Sequence, residues 1–572
     1  MKTYILALHA GHNASACIGD ESGLLYAIQE ERLVREKNYW GFPKESLKAC
    51  LKYVNATPAD ISKIAYGGKL VLSRYHSRDD VMESYNRQTT LSGKLRQRFV
   101  MPLAITLMPD YGQDTLKKDL SEAGFGDVPV EHYDHHFSHA ATAYYGLRES
   151  PEKPTLVVTC DGAGDHLCTT VGIWGNGKYE KVASTPWTDS LGALYSWVTW
   201  RMGFVPLEHE YKLMGMAPYA AGGAGDDIRD LFKSYLWLDD SGLAFKRRTF
   251  ARINDLGERM TTDLTGKRFD YICAGLQNFT EDLLTAWITN CIEKTGVRDV
   301  LAAGGVFMNV KANKRIAEIP GLESFQAFPS CGDETLPFGA YWIAAAEEYG
   351  DKNVPALPNC YLADDLDDEE TQAAIKASGL HFSKPDNIAE SVAELLAAGH
   401  PVARCAGRME FGARALGNRS ILGDPKNPDL VRIINQMVKK RDFWMPFAPM
   451  VKAERQADYI QNPKKLRSPY MMMTFATCPE TCGDIMAAVH NADLTCRAQI
   501  LEQEHNPQMH AILSAFEEKT GRAVILNTSF NLHGFPIVRN AAEAIEVLRD
   551  SGLEYLQAGD YLVSKQPLDA SA

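Results

Sequence analysis

The chain has 572 residues, of which 45% are hydrophobic and 23% charged, so two domains of ordinary α/β size are expected and a fibrous or disordered chain is excluded. Its formal net charge of -13 argues against a broad phosphate-tracking surface, because affinity for nucleic acid comes from clustered Lys and Arg. No run approaches the roughly 20 apolar residues that span a bilayer, Tyr4 to Ala10 after Lys2 is too short for a secretory signal, and the 12 dispersed cysteines form no zinc-ribbon pairs, so a cytoplasmic protein with reduced thiols and no membrane partner is expected.

Thr3 to Leu8 reads as a strand, His9 to Ser15 as a turn rich in Gly, Asn and Ser, Ala16 to Ile18 as extended chain again and Gly23 to Gln29 as a further strand. The pattern recurs at Thr155 to Cys160, the turn Asp161 to Asp165, and the strands Thr169 to Trp174 and Tyr179 to Ser184. Two copies suggest a duplicated α/β domain, the pattern of the actin, sugar-kinase and heat-shock ATPase superfamily, in which ATP lies between related halves. Glycine-turn hairpins also occur in unrelated α/β proteins, so the pattern leaves both readings open. Helical spacing predicts helices over about Glu45 to Val54, Leu91 to Leu120 and Tyr271 to Lys294, the last followed by the strand Val300 to Ala303. Gly350 to Asn359, with two prolines and no period, is the linker, and a second α/β unit follows.

Asp134 is placed to cap a helix on which His135 and His139, four residues apart, share a face while His136 points elsewhere. An isolated HxxxH is more often a plain histidine cluster than a metal site. Asp161 and Asp333, at acidic strand ends, change that balance, since two His and two carboxylates suit iron(II), manganese or zinc. The sequence does not show that the four meet. Gly304 and Gly305, in the run to Asn309, offer backbone amides to a phosphate or ribose. Glu210 to Ala217, with Lys212, reads either as a nucleotide-facing segment or as a helix cap with a solvated ion pair.

In the second unit Gly407 to Ser420 carries three arginines and three glycines, a composition suited to bidentate phosphate binding. Lys439, Lys440 and Arg441 form a basic knot before Phe443 to Phe447, and Asn527 to Asn531 follows a strand with a run of amides and hydroxyls that can orient an anion or form an Asx turn. These residues describe an anion-binding module.

Gly407 to Ser420, Pro446-Phe447-Ala448-Pro449 and Asn527 to Asn531 lie in fixed order with Glu30-Glu31-Arg32, the His135 to His139 helix, Glu210 to Ala217 and Gly304 to Asn309. In these motifs, over nearly its whole length, the chain resembles the O-carbamoyltransferases of antibiotic and nodulation-factor biosynthesis, the cephamycin and tobramycin enzymes among them. The resemblance implies an ATPase-superfamily transfer domain over 1–352, like the universal tRNA-threonylcarbamoyl transferase, and an α/β domain over 358–572 like threonylcarbamoyl-AMP synthase. The C-terminal domain would condense carbamoyl phosphate with ATP to carbamoyladenylate and pyrophosphate. The N-terminal domain would pass the carbamoyl group to a hydroxyl of a small-molecule, secondary-metabolite acceptor and release AMP.

The same resemblance assigns roles. Arg414, Lys439 and Arg441 would hold carbamoyl phosphate, with Ser529, Asn527 and Arg497 orienting it. Iron(II) or another divalent metal, Mg2+ being a further candidate, would sit on His135, His139, Asp161 and Asp333. Lys212, Gly304, Gly305 and Asn309 would face the nucleotide, and His12 on the first glycine turn would contact the acceptor hydroxyl or assist its deprotonation. Ala413 stands where the family usually has proline, and Gly332-Asp333-Glu334-Thr335 replaces Gly-Asp-Ala-Gly, so the extra Glu334 carboxylate bears on the metal geometry. Ser73 to Gln113 lies outside the shared motifs and is assigned to the acceptor pocket or a homodimer contact. The rival readings are tRNA threonylcarbamoylation, which the acidic balance disfavours, and a non-catalytic regulator binding nucleotide or carbamoyl phosphate.

Overall fold

The computed structural model describes residues 3–71, 77–88, 112–220, 222–439 and 442–567. Two compact units divide the chain, residues 1–30 with 38–357 and residues 31–37 with 358–572.

The first unit holds two five-stranded sheets. One contains β1 (Tyr4–His9), β2 (Ser15–Asp20), β3 (Gly23–Gln29), β4 (Ile61–Gly67) and β5 (Val130–Tyr133), in the order β3-β2-β1-β4-β5. The first three are antiparallel neighbours, and β4 and β5 continue the sheet parallel to β1. The other contains β6 (Thr155–Gly164), β7 (Leu167–Gly175), β8 (Lys178–Pro186), β9 (Asp299–Ala303) and β10 (Ser324–Ala327), in the order β8-β7-β6-β9-β10 with the same mixture of senses. The hairpin pattern read from the sequence is thus a true duplication, and the strand order repeated twice is that of the actin and sugar-kinase ATPase superfamily. β1 and β2 are buried at all six positions each, as expected of strands covered on both faces.

Helices α1 (Lys44–Val54), α2 (His135–Leu147), α3 (Phe269–Thr295), α4 (Val310–Ala317) and α5 (Leu336–Tyr349) belong to this unit. The N-cap Pro43 of α1 has no side-chain hydrogen bond to give. Glu30 supplies it instead, its carboxylate accepting from Glu45 N at 2.9 Å, Ser46 N at 2.7 Å and the Ser46 hydroxyl at 2.7 Å. Burial nonetheless raises the Glu30 pKa, with those hydrogen bonds working the other way. α5 packs on α2 at Gly339, where an added Cβ would lie 2.5 Å from the Ser138 carbonyl carbon. Of the helix expected over Leu91 to Leu120, only the end is described, as a helix over Gln113–Glu122; residues 89–111 lie outside the described residues, as does most of the Ser73 to Gln113 segment.

The second unit is α/β, built on an eight-stranded sheet. Its strands are β11 (His381–Ser383), β12 (Val402–Cys405), β13 (Arg419–Gly423), β14 (Ala448–Lys452), β15 (Gln499–Leu501), β16 (Val524–Ser529), β17 (Tyr555–Ala558) and β18 (Tyr561–Ser564). They run in the order β11-β18-β17-β12-β13-β16-β14-β15. Ile421, Leu526, Phe447 and Phe530 share one buried cluster, and Leu422, Met450, Ile525 and Phe516 another. Among the described residues no helix is long and apolar enough to cross a membrane, and all 12 cysteines are free.

Candidate functional site

The first constellation forms where α2 meets the ends of β6 and of the turn before α5. Asp134 caps α2, its carboxylate accepting from Phe137 N at 3.0 Å. One turn of helix then sets the His135 and His139 rings 4.8 Å apart, both buried. His135 Nε2 lies 3.5 Å from Asp161 Oδ2 and 3.6 Å from Asp333 Oδ1, and His139 Nε2 lies 3.5 Å from Asp333 Oδ1. One ligand atom from each of the four residues falls within 4.8 Å of the other three. The 3.5 and 3.6 Å separations match the edge of a tetrahedron around a cation with bonds of about 2.1 Å, roughly 3.4 Å. Among the described residues, His135 Nε2, His139 Nε2 and Asp333 Oδ1 are buried without a hydrogen-bond partner. The donor set therefore fits a divalent cation of the iron, manganese or zinc class.

The surroundings hold this set in place. Asp161 Oδ1 accepts from Gly305 N at 2.9 Å, leaving Oδ2 toward His135. Asp165 accepts from His135 N at 2.8 Å and from Lys69 N and Leu70 N at 2.8 and 2.9 Å. Gly164 must lack a side chain, since a Cβ there would lie 2.5 Å from His135 Nε2 and closer still to the ring carbons. Burial disfavours charge throughout, yet the carboxylates Asp333, Asp161 and Asp165 outweigh it and push His135 up to about 9. The imidazoles in turn hold Asp161 and Asp333 below the usual carboxylate range against their own burial. His136 turns away, its Nδ1 2.8 Å from the Thr159 hydroxyl, and burial together with His135 and His139 takes it down to about 3. Glu334 stands apart from the four ligand atoms: its carboxylate accepts from the Ser330 hydroxyl and its carbonyl from Ser15 Oγ at 2.8 Å.

The residues expected to face nucleotide have partners of their own. Gly304, at φ +101°, passes so close to β6 that a Cβ would sit 2.7 Å from the Cys160 carbonyl carbon, and Gly305 orients Asp161. Asn309 caps α4 through Ala312 N at 3.0 Å and exchanges two 2.9 Å hydrogen bonds with Gln277. Lys212 Nζ lies 5.1 Å above the Phe204 ring centroid. His12 pairs with Trp40 in a short antiparallel bridge, rings 4.5 Å apart.

The second constellation lies at one end of β13, β16, β14 and β15. β16 is antiparallel to β13 and β14, pairing Ser529 with Ser420 and Asn527 with Ala448, so its end meets their beginnings. β15 is parallel to β14. Four stretches distant in sequence thereby converge on a recess lined by Arg414, Phe447, Arg497, Asn527, Thr528 and Ser529, among others. Lys439, closing the π-helical turn Asn435–Lys439, is 3% exposed and donates to Ser529 Oγ at 3.0 Å and to Asn531 Oδ1 at 2.6 Å. Arg441 lies outside the described residues.

Of the three arginines in the glycine-rich loop, two brace the backbone. Arg408 donates to the Ala363 and Leu362 carbonyls, and the fully buried Arg419 to those of Ala406, Gly407, Asn418 and Arg539. Only Arg414 lines the recess. Gly407, Gly412 and Gly417 have φ of +63°, +104° and +117°, backbone states that require glycine for the loop to turn.

The family description "Carbamoyltransferase N-terminus" matches residues 4–341, and "Carbamoyltransferase C-terminus" matches residues 393–565. The chain belongs to the carbamoyltransferase family. The nodulation protein NolNO of Sinorhizobium fredii is 29% identical to this carbamoyltransferase over 97% of the chain and 79% of its own length. NolO of Bradyrhizobium diazoefficiens is 31% identical over 76% of the chain and 79% of its length. The uncharacterized protein MJ1051 of Methanocaldococcus jannaschii is 29% identical over 98% and 99%. Among solved structures, component A of the Acidaminococcus fermentans (R)-2-hydroxyglutaryl-CoA dehydratase is 12% identical over 61% of the chain and 99% of its own, at a TM-score of 0.34. That likeness is too weak to add to the strand order. Gly164, Asp165 and His9 lie in or beside stretches that read as plain turns in the sequence; of these, only His9 carries a local signal, the recurrence of His at positions 9 and 12.

Proposed function

We propose that the carbamoyltransferase works in two steps with ATP. In the second unit carbamoyl phosphate, ATP and water give carbamoyladenylate, pyrophosphate and phosphate. In the first unit the carbamoyl group passes to the hydroxyl of a small-molecule acceptor and AMP departs. The observation that carries this reading is Asn527. Its amide NH2 donates to the Ala415 carbonyl at 3.0 Å and to Gln499 Oε1 at 2.9 Å, and Gln499 donates its own NH2 to the Leu416 carbonyl at 3.1 Å, so the orientation of both amides is fixed. Asn527 Oδ1 is left as a buried acceptor with no partner among the described residues, in a recess that also holds Arg414 and Arg497. The recess therefore suits a ligand with an anionic end beside an N–H donor, as in carbamoyl phosphate; inorganic phosphate lacks the donor.

Arg414, Arg497 and Lys439 hold and offset the charge of the phosphoryl groups, Ser529 accepts from Lys439 and orients the substrate, and Arg441 joins them by its place in the family motif. In the first unit His135, His139, Asp161 and Asp333 would hold iron(II) or another divalent cation, which when bound supplies Lewis-acid polarisation of the carbamoyl carbonyl. His12 takes the proton of the acceptor hydroxyl, and Gly304, Gly305, Asn309 and Lys212 line the nucleotide side.

Incubation of the protein with carbamoyl phosphate, ATP and a divalent metal, without acceptor, is expected to release pyrophosphate and to yield carbamoyladenylate. Acetyl phosphate, which has no N–H, is expected not to substitute. Pyrophosphate release at the same rate with acetyl phosphate, or none with carbamoyl phosphate, refutes the proposal.

A further inference from the structure

His9, at the end of β1, is used neither by the four-residue cluster nor by the motifs of the family. It is 8% exposed, and neither ring nitrogen has a hydrogen-bond partner among the described residues. An imidazole buried in this way costs stability, and one kept there calls for a reason.

The backbone fixes the side to which the ring turns. His9 stands opposite Ser15 in the β1–β2 register, so the two side chains share one face of the sheet. The Ser15 hydroxyl donates to the Glu334 carbonyl at 2.8 Å, and Glu334 directly follows Asp333. The His9 ring is therefore directed to the Asp333 turn, and Asp333, His135, His12 and His139 all act on it electrostatically. Behind it, the Tyr66 ring stacks at 6.3 Å and 28°. Gly11, at φ +141°, brings the chain so near that a Cβ would lie 3.3 Å from His9 Nε2. Burial takes the pKa of His9 down to about 4, so the ring is neutral and offers one donor and one acceptor.

We infer that His9 is a ligand-contacting residue, hydrogen-bonded to the carbamoyl group as it is delivered to the acceptor beside the Asp333 cluster. A neutral ring with one donor and one acceptor complements the uncharged –C(=O)NH2 group, which offers both, better than a phosphate, which offers only acceptors. The inference rests on the two-step reaction above. In the delivery step the acceptor oxygen bonds to the carbamoyl carbon, the bond from that carbon to the adenylate oxygen breaks, AMP leaves with the electron pair and the acceptor proton passes to His12. His9 holds the plane of the group and exchanges no proton.

The test uses the full chain with carbamoyl phosphate, ATP and Mn2+, water serving as acceptor, and follows pyrophosphate and AMP separately. His9→Phe is expected to keep pyrophosphate release and Mn2+ affinity within twofold, to slow AMP release at least tenfold through kcat, and to raise Tm, because an unpaired polar ring has been replaced by an apolar one. His9→Gln, which keeps a donor and an acceptor, is expected to recover part of the AMP release. A His9→Phe protein with wild-type AMP release, or with a lower Tm, overturns the inference. If the wild type releases no pyrophosphate, the two-step reaction fails on its own account, and the Tm of His9→Phe, raised or lowered, still decides for or against His9.

Discussion

Gly164→Ala tests the proposed metal site at His135, His139, Asp161 and Asp333 through a single methyl group. The added Cβ would lie 2.5 Å from His135 Nε2, where non-bonded atoms normally keep about 3.4 Å, so the ring has to retreat by roughly 1 Å. It has little room to do so. His135 is 7% exposed, its backbone N–H is held by Asp165 at 2.8 Å, and His139 and His136 lie 4.8 and 5.4 Å away ring to ring. Metal-ligand bonds tolerate about 0.2 Å, so one of the four ligands is lost or badly placed, and Mn2+ affinity measured by calorimetry is expected to fall at least about 100-fold. Overpacking adds about 1–3 kcal/mol of destabilisation, read from the denaturant midpoint. Pyrophosphate release, which the proposed reaction assigns to the second unit, serves as the internal control and is expected to persist. An alanine variant that binds Mn2+ within twofold of the wild type, with an unchanged midpoint, refutes the assignment of His135 as a ligand.

Lys439→Met removes the ammonium that holds Ser529 and Asn531 and is expected to slow pyrophosphate release by about 100-fold while Mn2+ affinity stays unchanged. Because burial lowers His9 from 6.5 to about 4, the unfolded chain binds the extra proton first as pH falls. Stability on this account is full above pH 6.5 and is lost toward pH 4, by about 2 kcal/mol between pH 7 and pH 5. Urea denaturation at the two pH values is expected to show a fall in stability that is smaller by about 2 kcal/mol in His9→Phe than in wild type, the other buried histidines contributing equally to both. Gly339→Ala drives a methyl into the Ser138 backbone at the α2–α5 contact and is expected to cost about 3 kcal/mol or more, seen as loss of soluble protein or a fall in Tm.

Much of this carbamoyltransferase is legible locally. The i, i+4 spacing puts His135 and His139 on one face whatever surrounds the helix, and Asp134 caps it as its residue type predicts. The glycines of the 407–420 loop announce turns, and the repeated strand, turn and strand pattern announces the duplication that the two sheets display. These features depend on residues a few positions apart, where backbone geometry alone sets direction.

The strand order decided the rest. Periodicity cannot say that Asp161 and Asp333 end beside the same two imidazoles, because β6, β9 and β10 become neighbours only when the sheet is built. Nor can it say that Arg408 and Arg419 brace carbonyls while Arg414 lines the recess, since all three arginines look alike in sequence and differ only in which buried oxygens lie within reach. His9 reads as a turn residue until the β1–β2 register turns it toward Asp333. Residue types set which side chains are available and, through helix and strand periodicity, which face each takes on its own element. Which of them share a site follows from long-range burial and pairing of backbone groups, not local propensity, because these choose the neighbours of each strand.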